Sequence, residues 1–197
     1  MKPLPLSFYQ SDDVVSIAKK LIGKGLFTHF GPQTGGLIIE TEAYAGIYDR
    51  ASHAFGGRRT ARTEIMYGPG GKAYVYFCYG MHYLLNAVTA AKNIPHAVLI
   101  RAILPLEGIE TMLERRNKKK ADQTLCNGPG SVCKALGITK EHNGLPLNHP
   151  PLMICDLGHQ IREDQIHATP RIGVDYAGSD ASLPYRFQLG VPDFVAK

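Results

Sequence analysis

Ala73-Tyr74-Val75-Tyr76-Phe77-Cys78-Tyr79-Gly80-Met81-His82-Tyr83-Leu84-Leu85-Asn86-Ala87-Val88-Thr89 is the stretch on which the fold turns. Ala73 to Tyr79 and Tyr83 to Thr89 are rich in aromatic and β-branched residues, and Gly80 stands between them. That pattern predicts a β-hairpin. Successive strand side chains alternate, so Tyr74 and Tyr76 share one face while Val75 and Phe77 share the other. Either the tyrosines mark a boundary between core and water, or they form a platform on which flat rings stack. Tyr79, next to the tip, cannot easily reach the core, and a projecting ring of this kind can wedge between base pairs.

Upstream, Leu37 to Tyr44 reads as a second strand system, preceded by Phe27 to Phe30 and split from it by the turn-rich Gly31–Gly36. Glu40 and Glu42 occupy alternate positions and can share a face. They are either strand-end charges that keep an edge soluble or a repelling pair, one member of which serves as a base toward water. Ala45 to Lys72 is a long irregular segment, and such segments inside compact domains are usually functional or disordered. It carries His53 and the cations Arg58, Arg59 and Arg62, with Lys72 at its end. Basic runs are commonly solvated faces; beside stacking aromatics they suit phosphate contacts.

Elsewhere the pattern is ordinary. Val14, Ile17, Ala18, Leu21 and Ile22 recur at helical spacing after Asp12-Asp13, and Gly23 stops the helix. Ala97 to Leu104 is a strand closed by Pro105, Leu106 to Arg116 a helix, and Val132 to Leu136 a short helix after Gly128-Pro129-Gly130-Ser131. That glycine-rich entry either offers backbone N–H groups to a phosphate or is a turn with a capping serine. Pro151 to Cys155 and Arg186 to Leu189 complete the strands.

The 197 residues suit one domain, 1–197, and a net charge of +5 is a modest basic excess. The 4 cysteines form no Cys-x-x-Cys pair, which gives zinc little support. Cys78 and Cys155 read as core thiols. The start Met1-Lys2-Pro3-Leu4-Pro5 lacks the apolar region of a signal peptide, and no stretch is apolar enough to span a membrane. A cytoplasmic protein, without metal or cofactor, is expected.

The chain resembles the alkyladenine (methylpurine) DNA glycosylases, 3-methyladenine DNA glycosylases of bacterial type. The resemblance is carried by Ile38-Ile39-Glu40-Thr41-Glu42-Ala43-Tyr44, His53, Gly56-Gly57-Arg58, Tyr74-Val75-Tyr76, Tyr79-Gly80-Met81 and Asn86. It continues in Leu99-Ile100-Arg101-Ala102, Pro105-Leu106-Glu107-Gly108, Cys126-Asn127-Gly128-Pro129, Arg171-Ile172-Gly173-Val174 and Leu183-Pro184-Tyr185-Arg186-Phe187.

The resemblance implies an α+β fold: a single compact domain with a curved, mainly antiparallel sheet, surrounding helices and a protruding hairpin that enters DNA. It implies a glycosylase that flips out 3-methyladenine, 7-methylguanine, hypoxanthine or ethenoadenine from double-stranded DNA and hydrolyses the glycosidic bond, starting base excision repair. No lysine stands beside Glu42 to form a Schiff base, so a monofunctional enzyme is expected, and one substrate pocket gives no reason to expect more than a monomer. By the same resemblance Glu42 activates the water, and Arg101 and the backbone of Val174 position it. Tyr44, His53 and Tyr76 hold the flipped base, Asn86 rejects normal guanine, and Tyr79 fills the vacated gap. Arg58, Arg59, Thr60, Met66, Lys72, Tyr74 and His82 are expected at the DNA. His82 stands where relatives carry a tyrosine.

One consequence follows from strand parity. If Tyr76 and Asn86 face one pocket, they are on one sheet face and can pair directly, whereas a two-residue Gly80-Met81 turn would pair Tyr76 with Leu85 and turn Asn86 away. An odd loop or bulge centred near Met81 is therefore expected. The alternative to an enzyme is a nucleic-acid-binding module with this surface and no chemistry; a weaker one is a carbohydrate hydrolase using Glu40 and Glu42.

Overall fold

The computed structural model describes residues 1–190; the last residues of the expected 1–197 domain, 191–197, lie outside the described residues. The strands are β1 (Lys2–Pro3), β2 (Gly25–Thr28), β3 (Thr34–Tyr44), β4 (Ala73–Cys78), β5 (His82–Thr89), β6 (His96–Glu107), β7 (Asn148–His149), β8 (Leu152–Asp156), β9 (Ile166–Thr169) and β10 (Arg186–Leu189). The α-helices are α1 (Val14–Leu21), α2 (Ile109–Arg116) and α3 (Pro129–Leu136). All strand pairings are antiparallel, in the order β1-β8-β2-β3-β6-β5-β4, with β10 joining β3 to β9 and β7 beside β8. The fold is α+β, a single domain on a curled antiparallel sheet.

Each helix follows from its sequence. Asp13 caps α1 by accepting the Ser16 N–H at 2.9 Å, and Val14, Ile17, Ala18 and Leu21 form its buried stripe. α2 begins at Ile109, later than Leu106, because Gly108 takes a left-handed turn at φ 71° and β6 runs on to Glu107. α3 begins at Pro129, earlier than Val132: proline suits the first helical position, where its missing N–H has no partner to lose.

β3 is the organising strand. β6 covers one edge along its length, while β2 and then β10 cover the other. It starts at Thr34, inside the expected turn, because its glycines allow close approach: a Cβ on Gly36 would lie 2.2 Å from Leu104 O. β6 passes through Pro105, which sits opposite Gly36 at a register break where no ladder hydrogen bond is forfeited.

Alternation along the strands separates two faces. Val75, Leu85, Val98 and Ile100 join α1 and α3 in the main core. Tyr74, Val88 and Ala97 face the other way and pack under Ala54, Met66 and Tyr67 of the 45–72 segment. That segment is ordered by three 3-10 turns, Gly46–Tyr48, Phe55–Gly57 and Glu64–Tyr67. The hairpin pairs Tyr74 with Asn86, Tyr76 with Leu84 and Cys78 with His82. Its loop is therefore odd, the three residues Tyr79-Gly80-Met81, centred on Gly80 rather than Met81. Tyr76 and Asn86 do share a face, two positions apart in register rather than directly paired.

Candidate active site

Register places Tyr74, Asn86, Leu99 and Glu42 in one row across β4, β5, β6 and β3. Their side chains lie on the face covered by the 45–72 segment, and there a cavity of about 300 Å³ opens. Tyr44, His53, Tyr76, Asn86, Arg101 and Val174 all line it.

Glu42 is sealed behind this wall, at 0% exposure. Its Oε2 accepts from the Tyr44 hydroxyl at 2.8 Å, and its Oε1 accepts from the Ile172 N–H at 2.8 Å. Arg101 Nη1 lies 3.3 Å from the same Oε1 and Arg101 Nε donates to Glu40 Oε1 at 2.9 Å. The repulsion expected between the two carboxylates is thus offset by a guanidinium between them. Burial and the adjacent Glu42 carboxylate hold the Tyr44 phenol well above its ordinary pKa, so it stays a donor.

His53 Nε2 receives a hydrogen bond from Arg62 Nη2 at 3.3 Å. Arginine only donates, so the proton of the neutral ring is on Nδ1, which donates to the Tyr74 hydroxyl at 2.8 Å. Burial first, then Arg62 and Arg58, lower the His53 pKa to about 4. The ring meets Tyr76 edge-on at 4.7 Å, and the Arg62 guanidinium lies 4.7 Å from the centre of the Tyr76 ring. Asn86 Nδ2 donates to Tyr74 O at 3.1 Å, fixing its amide on the wall.

The expected DNA-facing residues separate into groups. Tyr79 is 83% exposed at the hairpin tip with φ 51°. Arg58 and Thr60 are exposed on the 45–72 segment. Arg59 is exposed too, but Glu64 holds it at 2.6 Å and Tyr67 lies 4.6 Å beneath it. His82 is exposed, its ring against Gly130 of α3. Met66 and Tyr74, at 1% and 2% exposure, lie in the wall of the cavity rather than on the outer surface. Lys72 precedes β4 at the end away from Tyr79, roughly 20 Å along the strand, and does not line the cavity. Val174 O already accepts from the Ala177 N–H at 2.8 Å, leaving one lone pair. Cys78 also differs from expectation: it is half-buried on the cavity wall, whereas Cys155 is a core thiol.

Sequence reasoning assigned no part to Arg171. It is buried, it pairs both oxygens of Asp49 (Nη2–Oδ1 2.9 Å), and it donates to Ala43 O at 2.9 Å. Its guanidinium lies 4.9 Å from the Tyr44 ring centre. Arg186 and Tyr176 were likewise unassigned; Arg186 binds Glu40 at 2.6 Å, and Tyr176 stands at the cavity mouth. A lone arginine in a loop carries no sequence signal of burial.

Residues 7–191 match the family described as Methylpurine-DNA glycosylase (MPG). The chain belongs to that family. Among its relatives, a protein of Chlamydia pneumoniae is 50% identical over 188 residues, covering 94% of each chain. One of Chlamydia felis is 49% identical over 190 residues, 95% of this chain and 96% of the relative. One of Bacillus mycoides is 45% identical over 203 residues, 98% of each. All three carry the name "Putative 3-methyladenine DNA glycosylase". The family makes this a DNA glycosylase fold built around DNA repair chemistry, and the cavity is where its elements converge.

Proposed function

We propose that the protein is a monofunctional glycosylase that excises alkylated purines from duplex DNA, with Glu42 as the base toward water. The observation that carries this is a sealed carboxylate, Glu42, immediately behind a cavity walled by Tyr44, His53 and Tyr76. A purine flipped from the stack, at a cost of a few kcal/mol, enters between these rings while Tyr79 occupies the gap. Alkylation at N3 or N7 makes the base cationic, and the tyrosine faces attract it by roughly 0.5–2 kcal/mol per contact. His53, neutral near pH 7 because its pKa is lowered to about 4, does not repel it.

As the C1′–N9 bond breaks, its electron pair leaves with the base and cancels the ring's positive charge. The developing sugar cation is stabilised by Glu42. Water oxygen bonds to C1′, and its proton passes to Glu42. Arg101 and the Ile172 N–H orient that carboxylate. Asn86 on the wall excludes the 2-amino group of normal guanine. Arg58 and its neighbours hold phosphates. Substrates are 3-methyladenine and 7-methylguanine, then the neutral hypoxanthine and ethenoadenine, which leave less readily. Among the described residues no lysine lines the cavity, so no Schiff base forms and the strand is not cut. The protein acts as a cytoplasmic monomer.

The test is incubation with methylated duplex DNA, chromatographic identification of released bases, and attempted borohydride trapping. Release of methylpurines without a trapped adduct is expected. Tight binding without release would favour a binding module and overturn the proposal.

A further inference from the structure

Arg101 is shared between two carboxylates, and one of them faces away from the cavity. Four charged groups form a chain across three strands: Glu42, Arg101, Glu40 and Arg186. Arg101 Nη1 is 3.3 Å from Glu42 and its Nε is 2.9 Å from Glu40, while Arg186 Nε is 2.6 Å from that same Glu40 oxygen. All four side chains are largely buried, at 0%, 12%, 7% and 18% exposure in that order. The β3–β6 ladder breaks register on both sides of Glu40, which pairs with Ala102, and Arg101 is the extra β6 residue between Ala102 and Ile100. A bulge of this kind re-aims side chains, and here it lets one guanidinium reach both acids.

We propose that Glu40 and Arg186 are positioning residues that set how strongly Arg101 grips Glu42, and so how readily Glu42 accepts the proton of water. The proposal rests on Glu42 being the base. An arginine divided between two acids in a poorly screened site neutralises each only in part. Without Glu40, Arg101 belongs to Glu42 alone, and Glu42 becomes a weaker base. Without Arg186, Glu40 keeps Arg101 as its one ion-pair partner among the described residues and draws it away, so Glu42 is less neutralised. The two losses act in opposite directions.

Other groups facing Glu42 stay fixed in both cases: Tyr44 on β3, Tyr76 on β4, and Arg171 with the Ile172 N–H from the 170–174 segment. On its outer side Glu40 shares a separate cavity of about 420 Å³ with His167 and Asp122.

The experiment is single-turnover base release against pH on methylated duplex DNA, whose alkylpurines carry a fixed positive charge. Glu40→Gln should move the acid limb to lower pH by roughly 1 unit and lower the plateau. Arg186→Met should move it to higher pH, and the double variant should return it toward the wild type. Arg186→Lys, which keeps the charge, should leave it in place. Loss of rate with no displacement, or displacement of both single variants in one direction, overturns the proposal. If Glu40→Gln does not fold, Arg186→Met against Arg186→Lys decides it alone. Glu42→Gln separates the two readings: if it still releases bases, the assignment of the base fails. If it is inactive and the limbs do not move, only the present inference fails.

Discussion

The backbone N–H of Ile172 donates to Glu42 Oε1 at 2.8 Å, joining positions 130 residues apart. The contact gives the buried carboxylate a fixed donor from a loop that has no secondary structure of its own at that point. With Tyr44 on the second oxygen, it leaves the acid little freedom to rotate. Replacing Glu42 by Gln keeps the shape and removes the base. Base release should fall by about 10²–10⁴ while duplex affinity, read by fluorescence anisotropy, stays near the wild-type value.

Arg171 supports that loop from beneath. Its ion pair with Asp49 is buried on both sides. Removing one member leaves an uncompensated buried charge, which typically destabilises by about 3–5 kcal/mol. Arg171→Met should lower stability by that order in urea titration. Joint replacement with Asp49→Asn should recover part of it.

His53 links stability to pH. Its pKa, near 6.5 in an unfolded chain, is lowered to about 4 in the fold by burial and the neighbouring arginines. The unfolded chain therefore takes up a proton first as pH falls. Stability associated with this residue is intact above about pH 6.5 and is lost as pH falls to about 4. His53→Gln should flatten that part of the stability–pH curve relative to wild type, as followed by thermal melts.

Arg58 and Arg59 of the 45–72 segment should not behave alike. Arg59 is engaged by Glu64 and Tyr67, whereas Arg58 makes no ion pair among the described residues. Arg58→Ala should reduce the salt dependence of DNA binding by about one phosphate's worth. Arg59→Ala should change it less. Equal slopes would show that DNA releases Arg59 from its protein partners.

Tyr79 holds a left-handed backbone that side chains disfavour, with φ 51°. Tyr79→Gly should thus leave folding stability equal or higher in chemical denaturation. It should nevertheless slow base release from duplex DNA on the order of tenfold, the scale of one lost stacking contact. Release from single-stranded substrate should be nearly unaffected.

Local pattern was enough for much of this protein. The spacing of Val14, Ile17, Ala18 and Leu21 marks a helix, and strand alternation puts Tyr74 and Tyr76 opposite Val75, because these periods depend only on backbone geometry. Given the shared pocket that the resemblance implies for Tyr76 and Asn86, parity required an odd hairpin loop. Motif resemblance pointed to Glu42 and its neighbours. What local pattern could not supply were contacts between distant segments. Pro105 continues a strand because Gly36, far upstream, breaks register beside it. Met66 and Tyr74 are buried because the 45–72 segment folds over the sheet. Arg171 and Arg186 meet Asp49 and Glu40 only once the chain has closed. Sequence by itself determined the larger strands and helices, the alternation of faces along β4, and the family. Tertiary structure decided which charges are buried together, since burial and ion pairing depend on distances between segments that no short stretch encodes.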